Sequence, residues 1–239
     1  MLPMTWMMSA NEYVLAQGIR DTRSTFESWQ RRRWTVFGPW AALSLAIAMT
    51  LLGAVWAVSI IVTPDPTPVV ISGLNGPTGI TSILGVLERN SLVLAFHATA
   101  CVAGFIAGAS MPIAARSRTG ISRWIHVKAG QFAISFVVGV TLFSLSTQAF
   151  ILGFQGSSLA AQLGITQAEL VLSVCPHALI ELTALFLPLA AWILASRRGE
   201  WNQLLAATFA TVAVAIPMLI AGALIEVFVW PQILAALSG

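Results

Sequence analysis

The sequence predicts an all-α, polytopic helical membrane protein with about five transmembrane helices and an N-terminal amphipathic helix. Three observations carry this expectation. Hydrophobic residues fill 57% of the 239 positions and charged residues only 9%, with a mean hydropathy of +0.85. A soluble domain carries roughly a quarter charged residues, so lipid must contact much of this chain. Five apolar runs each exceed the roughly 20 residues needed to cross a bilayer core. The arginines sit in short clusters beside those runs, as membrane proteins distribute them. The same clustering, despite a formal charge of +3, argues against a nucleic-acid partner.

The elements follow in order. Met1 to Ala10 is apolar but short and lacks a basic n-region. No cleavable signal peptide is expected, and the first long apolar run stays as an anchor. Residues 10–36 read as an amphipathic helix, because Tyr13, Ile19, Phe26, Trp29 and Trp34 alternate with Arg20, Asp21, Arg23 and Glu27. Such a helix lies in the membrane interface or docks on the cytoplasmic face of the bundle. Residues 1–37 thus form a cytoplasmic or interfacial segment, and residues 38–239 a transmembrane bundle.

Spans are expected near 38–63, 91–115, 129–155, 170–195 and 203–234. The linker 64–80 reads as a loop, with Pro64, Pro66 and Pro68 around Asp65 and then Gly73, Gly76 and Gly79. Residues 81–90 read as a short helix leading into the second span. Pro217 and Pro231 predict a tilt or break in the fifth. Gly104 and Gly108, with Ala100, Ala103 and Ala107, form a small-residue face in the second span. It serves helix packing within the subunit or a dimer seam.

Orientation follows from the basic residues. Arg20, Arg23, Arg31, Arg32, Arg33, Arg116, Arg118, Arg123, Lys128, Arg197 and Arg198 all fall on one side of a five-span bundle, and only Arg89 falls on the other. Positive charge marks the cytoplasmic side, which predicts a multi-pass cell-membrane protein with its N-terminus inside and its C-terminus outside. Cys101 and Cys175 lie within apolar runs, so neither is expected in a structural disulfide.

Function must then reside in the few polar residues that the spans bury. The fourth span carries Cys175-Pro176-His177-Ala178-Leu179-Ile180-Glu181. His177 and Glu181 are four residues apart and share one helix face. A carboxylate within a membrane helix costs a few kcal/mol, so Glu181 must be protonated, paired or facing a wet cavity. Pro176 removes a backbone donor and places the pair at a potential break. Glu226 in the fifth span has nothing within a turn to neutralise it, and His177 is its expected partner. Asn90 and His97 are seven residues apart on one face of the second span, and Ser144, Gln148, Ser173 and Thr183 are further polar residues of the bundle. By topology, Asn90, His97, His177, Glu181 and Glu226 can meet in one layer in the outer half of the bundle.

Three readings of this cluster stand open. It is a hydrogen-bond network that fixes helix packing, a polar cavity that handles an ion, proton, substrate or lipid headgroup, or a metal site. In the last case His97, His177, Glu181 and Glu226 are the ligands, and imidazole with carboxylate suits zinc. The metalloprotease pattern H-E-x-x-H is absent, as are the phosphate-binding G-x-x-x-x-G-K-[ST] loop, the dinucleotide-binding G-x-G-x-x-G and C-x-x-C. His126 in the basic loop beside Trp124 reads as a surface residue.

At these residues the chain resembles the stage II sporulation protein M family of bacterial and archaeal membrane proteins. The resemblance covers roughly residues 85–232. It rests on Asn90 followed by Ala95-Phe96, Gly104 and Gly108, on Pro176-His177-Ala178 with Glu181, and on Ile225-Glu226-Val227-Phe228 ending at Pro231. Ala178 stands where the family usually has glycine, and Thr119-Gly120 where it often has Asn-Gly. The resemblance implies a polytopic, non-enzymatic scaffold or transport-associated subunit without a cofactor, embedded in lipid and working as a homo-oligomer or in a membrane complex. The namesake anchors peptidoglycan-degrading partners during engulfment; relatives accompany bacteriocin secretion and immunity. A permease or channel for a small ion, proton or peptide is the alternative, and a metal-dependent intramembrane hydrolase the second.

Overall fold

A computed structural model describes residues 10–72, 74, 76 and 78–239, with side chains from Gly18 onward. Helix α1 (Ala10–Gln30) leads into α2 (Arg33–Ile61), and a connection over 62–79 precedes α3 (Ile80–Phe105). The chain then passes through a π-helical turn at Ile106–Ser110, the short α4 (Met111–Ala114) and a 3-10 turn at Ala115–Ser117. Two long helices follow, α5 (Gly120–Leu163) and α6 (Gln167–Arg198). A 3-10 turn at Trp201–Gln203 opens α7 (Leu204–Phe228), and α8 (Trp230–Ser238) closes the chain. There is no strand among the described residues.

Five rods are long and apolar enough to cross a membrane: Arg33–Ile61, Ile80–Ser117, Gly120–Leu163, Gln167–Arg198 and Trp201–Ser238. They alternate in direction, so the eleven clustered basic residues gather at one end of the bundle. The expectation for Met1 to Ala10 falls almost wholly outside the described residues, as do Gly73 and the side chain of Tyr13.

Several boundaries differ from the sequence expectation. Residues 81–90 are not a separate helix but the opening turns of α3. The third span runs far beyond 129–155, because α5 continues for 44 residues. Pro176 and Pro188 both lie inside an unbroken α6, and Pro217 inside an unbroken α7. Each removes one hydrogen bond, yet tight neighbours hold the helix through the gap. The interruptions fall elsewhere. Pro112 cannot donate to the Gly108 carbonyl, and the adjoining segment adopts the π turn, a known way to absorb such a mismatch. Pro231 sits in the first turn of α8, where a missing N–H costs nothing.

Helix α6 is the axis of the fold and α5 its periphery. In the most apolar window of α6, 61% of residues are buried, against 6% in α5. Phe186, Leu189 and Trp192 of α6 pack with Ala48, Leu51 and Val55 of α2 and with Cys101 and Phe105 of α3. Ser44 in α2 donates to the Thr183 carbonyl of α6, and the free thiol of Cys101 donates to the Pro188 carbonyl at 3.1 Å. Gly153 lets α5 approach α2 closely, since a Cβ there would sit 2.6 Å from Cβ of Val58.

The Gly104 and Gly108 face is filled from within the chain. A Cβ on Gly104 would lie 2.7 Å from a Leu204 methyl and 2.8 Å from Nε1 of Trp192, and one on Gly108 would collide with the Trp201 indole. Helix α1 is docked on the basic end of the bundle. Trp29 is only 4% exposed, in a cluster with Trp40, Leu187, Ala191, Ala206 and Ala207. Arg20, Arg23 and Glu27 point outward. At the other end the 62–79 connection is strapped across α5. Asp65 N–H donates to Ser158 Oγ at 2.9 Å, Gln162 Nε2 to the Thr67 carbonyl at 2.7 Å, and Val69 N–H to Gln162 Oε1 at 3.0 Å.

Candidate functional site

The seam between α3, α6 and α7 holds the rarest residues of the spans. Glu181, on the buried face of α6, is 8% exposed. It lies directly against Gly222 of α7, where a Cβ would overlap its Cγ and stand 2.8 Å from its Oε1. Gly222 thus makes the space into which the carboxylate reaches. Glu226 is one turn further along the same face of α7, within electrostatic reach of Glu181. Asn90 of α3 lies beside Glu181, yet Asn90 Nδ2 and Glu181 Oε1 meet no partner at hydrogen-bonding geometry. The cation nearest Glu226 is Arg89, whose Nη2 is 4.0 Å from Oε1. Arg89 also bears on Glu181 electrostatically.

Two of the expected members stand apart from this group. His177 is not the partner of Glu226. Its ring lies on the Trp230 indole, 5.2 Å between centroids, one helical turn from Glu181 toward the strapped end. Trp230 Nε1 in turn donates to Ser173 Oγ at 3.0 Å, and Ser173 donates to the Leu170 carbonyl at 2.7 Å. The proline after Trp230 begins α8, so the turn at Val229 aims the indole back at α6. His97 lies deeper, two turns beyond Asn90. It is held between Phe96 and Phe186 at centroid distances of 5.8 and 5.5 Å, beside a small apolar cleft of about 150 Å³ with Phe136 and Val137. The Nδ1 atoms of both histidines are buried without a partner.

The five residues are therefore not one cluster: Glu226 and His177 each lie one turn toward the strapped end from the contact of Glu181 with Gly222, on different helices, and His97 lies two turns deeper than Asn90. Asn90, Glu181 and Glu226 come together with Arg89 and Gly222. His177 belongs to a Trp230–Ser173 group, and His97 to an aromatic one. Among the described residues, no group of three or more His, Cys, Asp or Glu stands close enough to hold a metal ion.

The carboxylate group has a definite electrostatic character. Glu181 and Glu226 face one guanidinium, and Arg89 is itself 74% exposed on its side chain while Glu226 is 24% exposed. With both carboxylates ionised, the seam would carry one uncompensated negative charge in a low-dielectric setting. A proton or small cation shared between them removes that charge. Sequence reasoning did not find Arg89, because it stands at the end of a span and reads as a surface charge. Nor did it single out Gly222; the available signal was its place four residues before Glu226. No family model, curated protein or solved structure matches the chain.

Proposed function

We propose that this chain is a non-enzymatic integral membrane scaffold or transport-associated subunit that assembles with other membrane helices through α5. One observation carries the reading. Helix α5 is peripheral, with only 6% of its most apolar window buried; Thr147 stands on its exposed side among Phe143 and Phe150, and Ser144 and Gln148 are half-buried on the flank beside it. Gln148 donates one amide hydrogen to Ser144 Oγ at 2.9 Å, and Thr147 donates to the Phe143 carbonyl. A polar side chain on an otherwise apolar, uncovered helix side is a common point of contact between membrane helices. Distribution of the basic residues supports an N-terminus on the cytoplasmic side and a C-terminus outside. The likeness to the stage II sporulation protein M family, carried by Pro176-His177 with Glu181 and by Glu226, agrees with a scaffold role.

The test is Gln148→Leu combined with Thr147→Leu, read by cross-linking in native membranes and by native mass spectrometry in mild detergent. Wild type is expected in an assembly larger than one chain, and the variant as a folded single chain. An assembly of unchanged size in the variant refutes the reading. A second reading, a proton- or cation-linked permease, is favoured by Glu181 and Glu226 facing the single guanidinium of Arg89. Ion flux in liposomes that vanishes in Glu181→Gln would move the assignment to it.

A further inference from the structure

At the basic end, where α1 turns into α2 beside the α6–α7 turn, the bundle forms an open cavity of about 490 Å³. Its rim carries Arg31, Arg32 and Arg198, all exposed, and Glu200, which is half-buried. Its base is Trp29 and Trp40, 4% and 6% exposed and set edge to face at 5.2 Å. Among the described residues the ion pairs are Arg23 with Glu27 and Arg89 with Glu226. Among the described residues none of the three rim arginines therefore has a carboxylate partner, and three guanidinium groups line the cavity with one acid. The N-terminus of α2 opens at the same place with no side-chain cap, adding the partial positive charge of a helix start.

We propose that this cavity binds the headgroup of an anionic phospholipid, with its phosphate among Arg31, Arg32 and Arg198. The ligand class follows from charge and depth together. Guanidinium forks match phosphate oxygens in pairs, and a net excess of positive charge suits an anion. The cavity lies where the apolar spans of α2, α6 and α7 begin or end, at headgroup depth, where tryptophan and arginine are at home. Val36, Leu194 and Ala207 give its wall an apolar continuation toward the membrane, along which acyl chains leave the site. A zwitterionic headgroup presents its own cation to the arginines and is disfavoured. Free inorganic phosphate offers the same oxygens but nothing for the apolar wall.

The test uses the full chain in nonionic detergent, titrated with dioleoyl-phosphatidylglycerol, with dioleoyl-phosphatidylcholine, or with inorganic phosphate, and read by native mass spectrometry. One phosphatidylglycerol should be retained per chain at concentrations where phosphatidylcholine is lost. Retention should weaken about fivefold for each of Arg31→Gln, Arg32→Gln and Arg198→Gln. Glu200→Gln, which removes the acid from the rim, should strengthen it, and this arm holds even where an arginine variant fails to fold. Millimolar phosphate that displaces the lipid supports the headgroup contact. Equal retention of both lipids, indifference to all three arginines, or bound phosphate that the lipid cannot displace overturns the proposal.

Discussion

Replacing Gly222 with alanine should loosen the α6–α7 seam, and the cost can be worked from the contact. The new methyl would overlap Cγ of Glu181 and stand 3.0 Å from its Cδ. Cγ is next to the stem of the side chain, so rotating the carboxylate alone does not clear it. Either Glu181 changes its χ1 rotamer or the two helices part. Overpacking of this kind costs about 1–3 kcal/mol, offset by about 0.8–1 kcal/mol from the better helix propensity of alanine. The net loss is about 0–2 kcal/mol. Gly139→Ala is the matched control, because nothing lies within 4 Å of a Cβ there, and it should be neutral or slightly stabilising. Reversible unfolding in mixed micelles, followed by tryptophan emission, reads both. Removing the obstacle with Glu181→Ala should abolish the cost of Gly222→Ala and leave only the propensity gain, a coupling of about 1–3 kcal/mol in the double-mutant cycle. Equal losses from Gly222→Ala with and without Glu181 would refute the idea that the glycine exists to seat that carboxylate.

Two further outcomes follow from the same structure. Arg89→Gln should destabilise by no more than about 1 kcal/mol, because its charge is largely in solvent, and Glu226→Gln should recover the loss; a cost that persists in the double variant argues against the pairing. The Asp65 carboxylate accepts the Thr67 N–H at 2.8 Å, which holds it below the usual carboxylate range. Its contribution to the strap is present above the ordinary pKa and lost as pH falls through the lowered one, so amide exchange at Thr67 should quicken only in acid and lose that dependence in Asp65→Asn.

The five spans were legible because each apolar run is long enough to cross a bilayer and no other reading covers so few charges. Their ends were less so. Hydropathy marks where lipid stops, whereas α3 and α5 continue as helix past that point, since backbone hydrogen bonding does not depend on burial. Two of the prolines misled for a related reason: Pro176 and Pro217 are carried by neighbours in space, and the actual irregularities lie at Pro112 and Gly108, against Trp201, which is distant in the chain, and at Val229 just before Pro231. In the site, Glu181, Glu226 and Asn90 announced themselves as polar residues in apolar surroundings. His97 did not join them because seven residues fix a common face but also set a depth of about 10 Å. His177 was expected to answer Glu226 because of its charge, but its ring area against Trp230 decided its place.

The strap across the end of α5 gives that helix a mechanical meaning. A rod of 44 residues is about 66 Å long, braced against α2 near Gly153 and tied at its far end, through Ser158 and Gln162, to the segment joining α2 and α3. The brace at Gly153 lies only about 15 Å from that end, so a tilt of about 5° around it moves the strapped end by only about 1 Å. The connection from Asp65 to Val69 is held to that end, and α3 begins eleven residues beyond it, at Ile80. Brace and strap together pin the far end of α5, so a push on the helix from the lipid side meets resistance there rather than at its basic end.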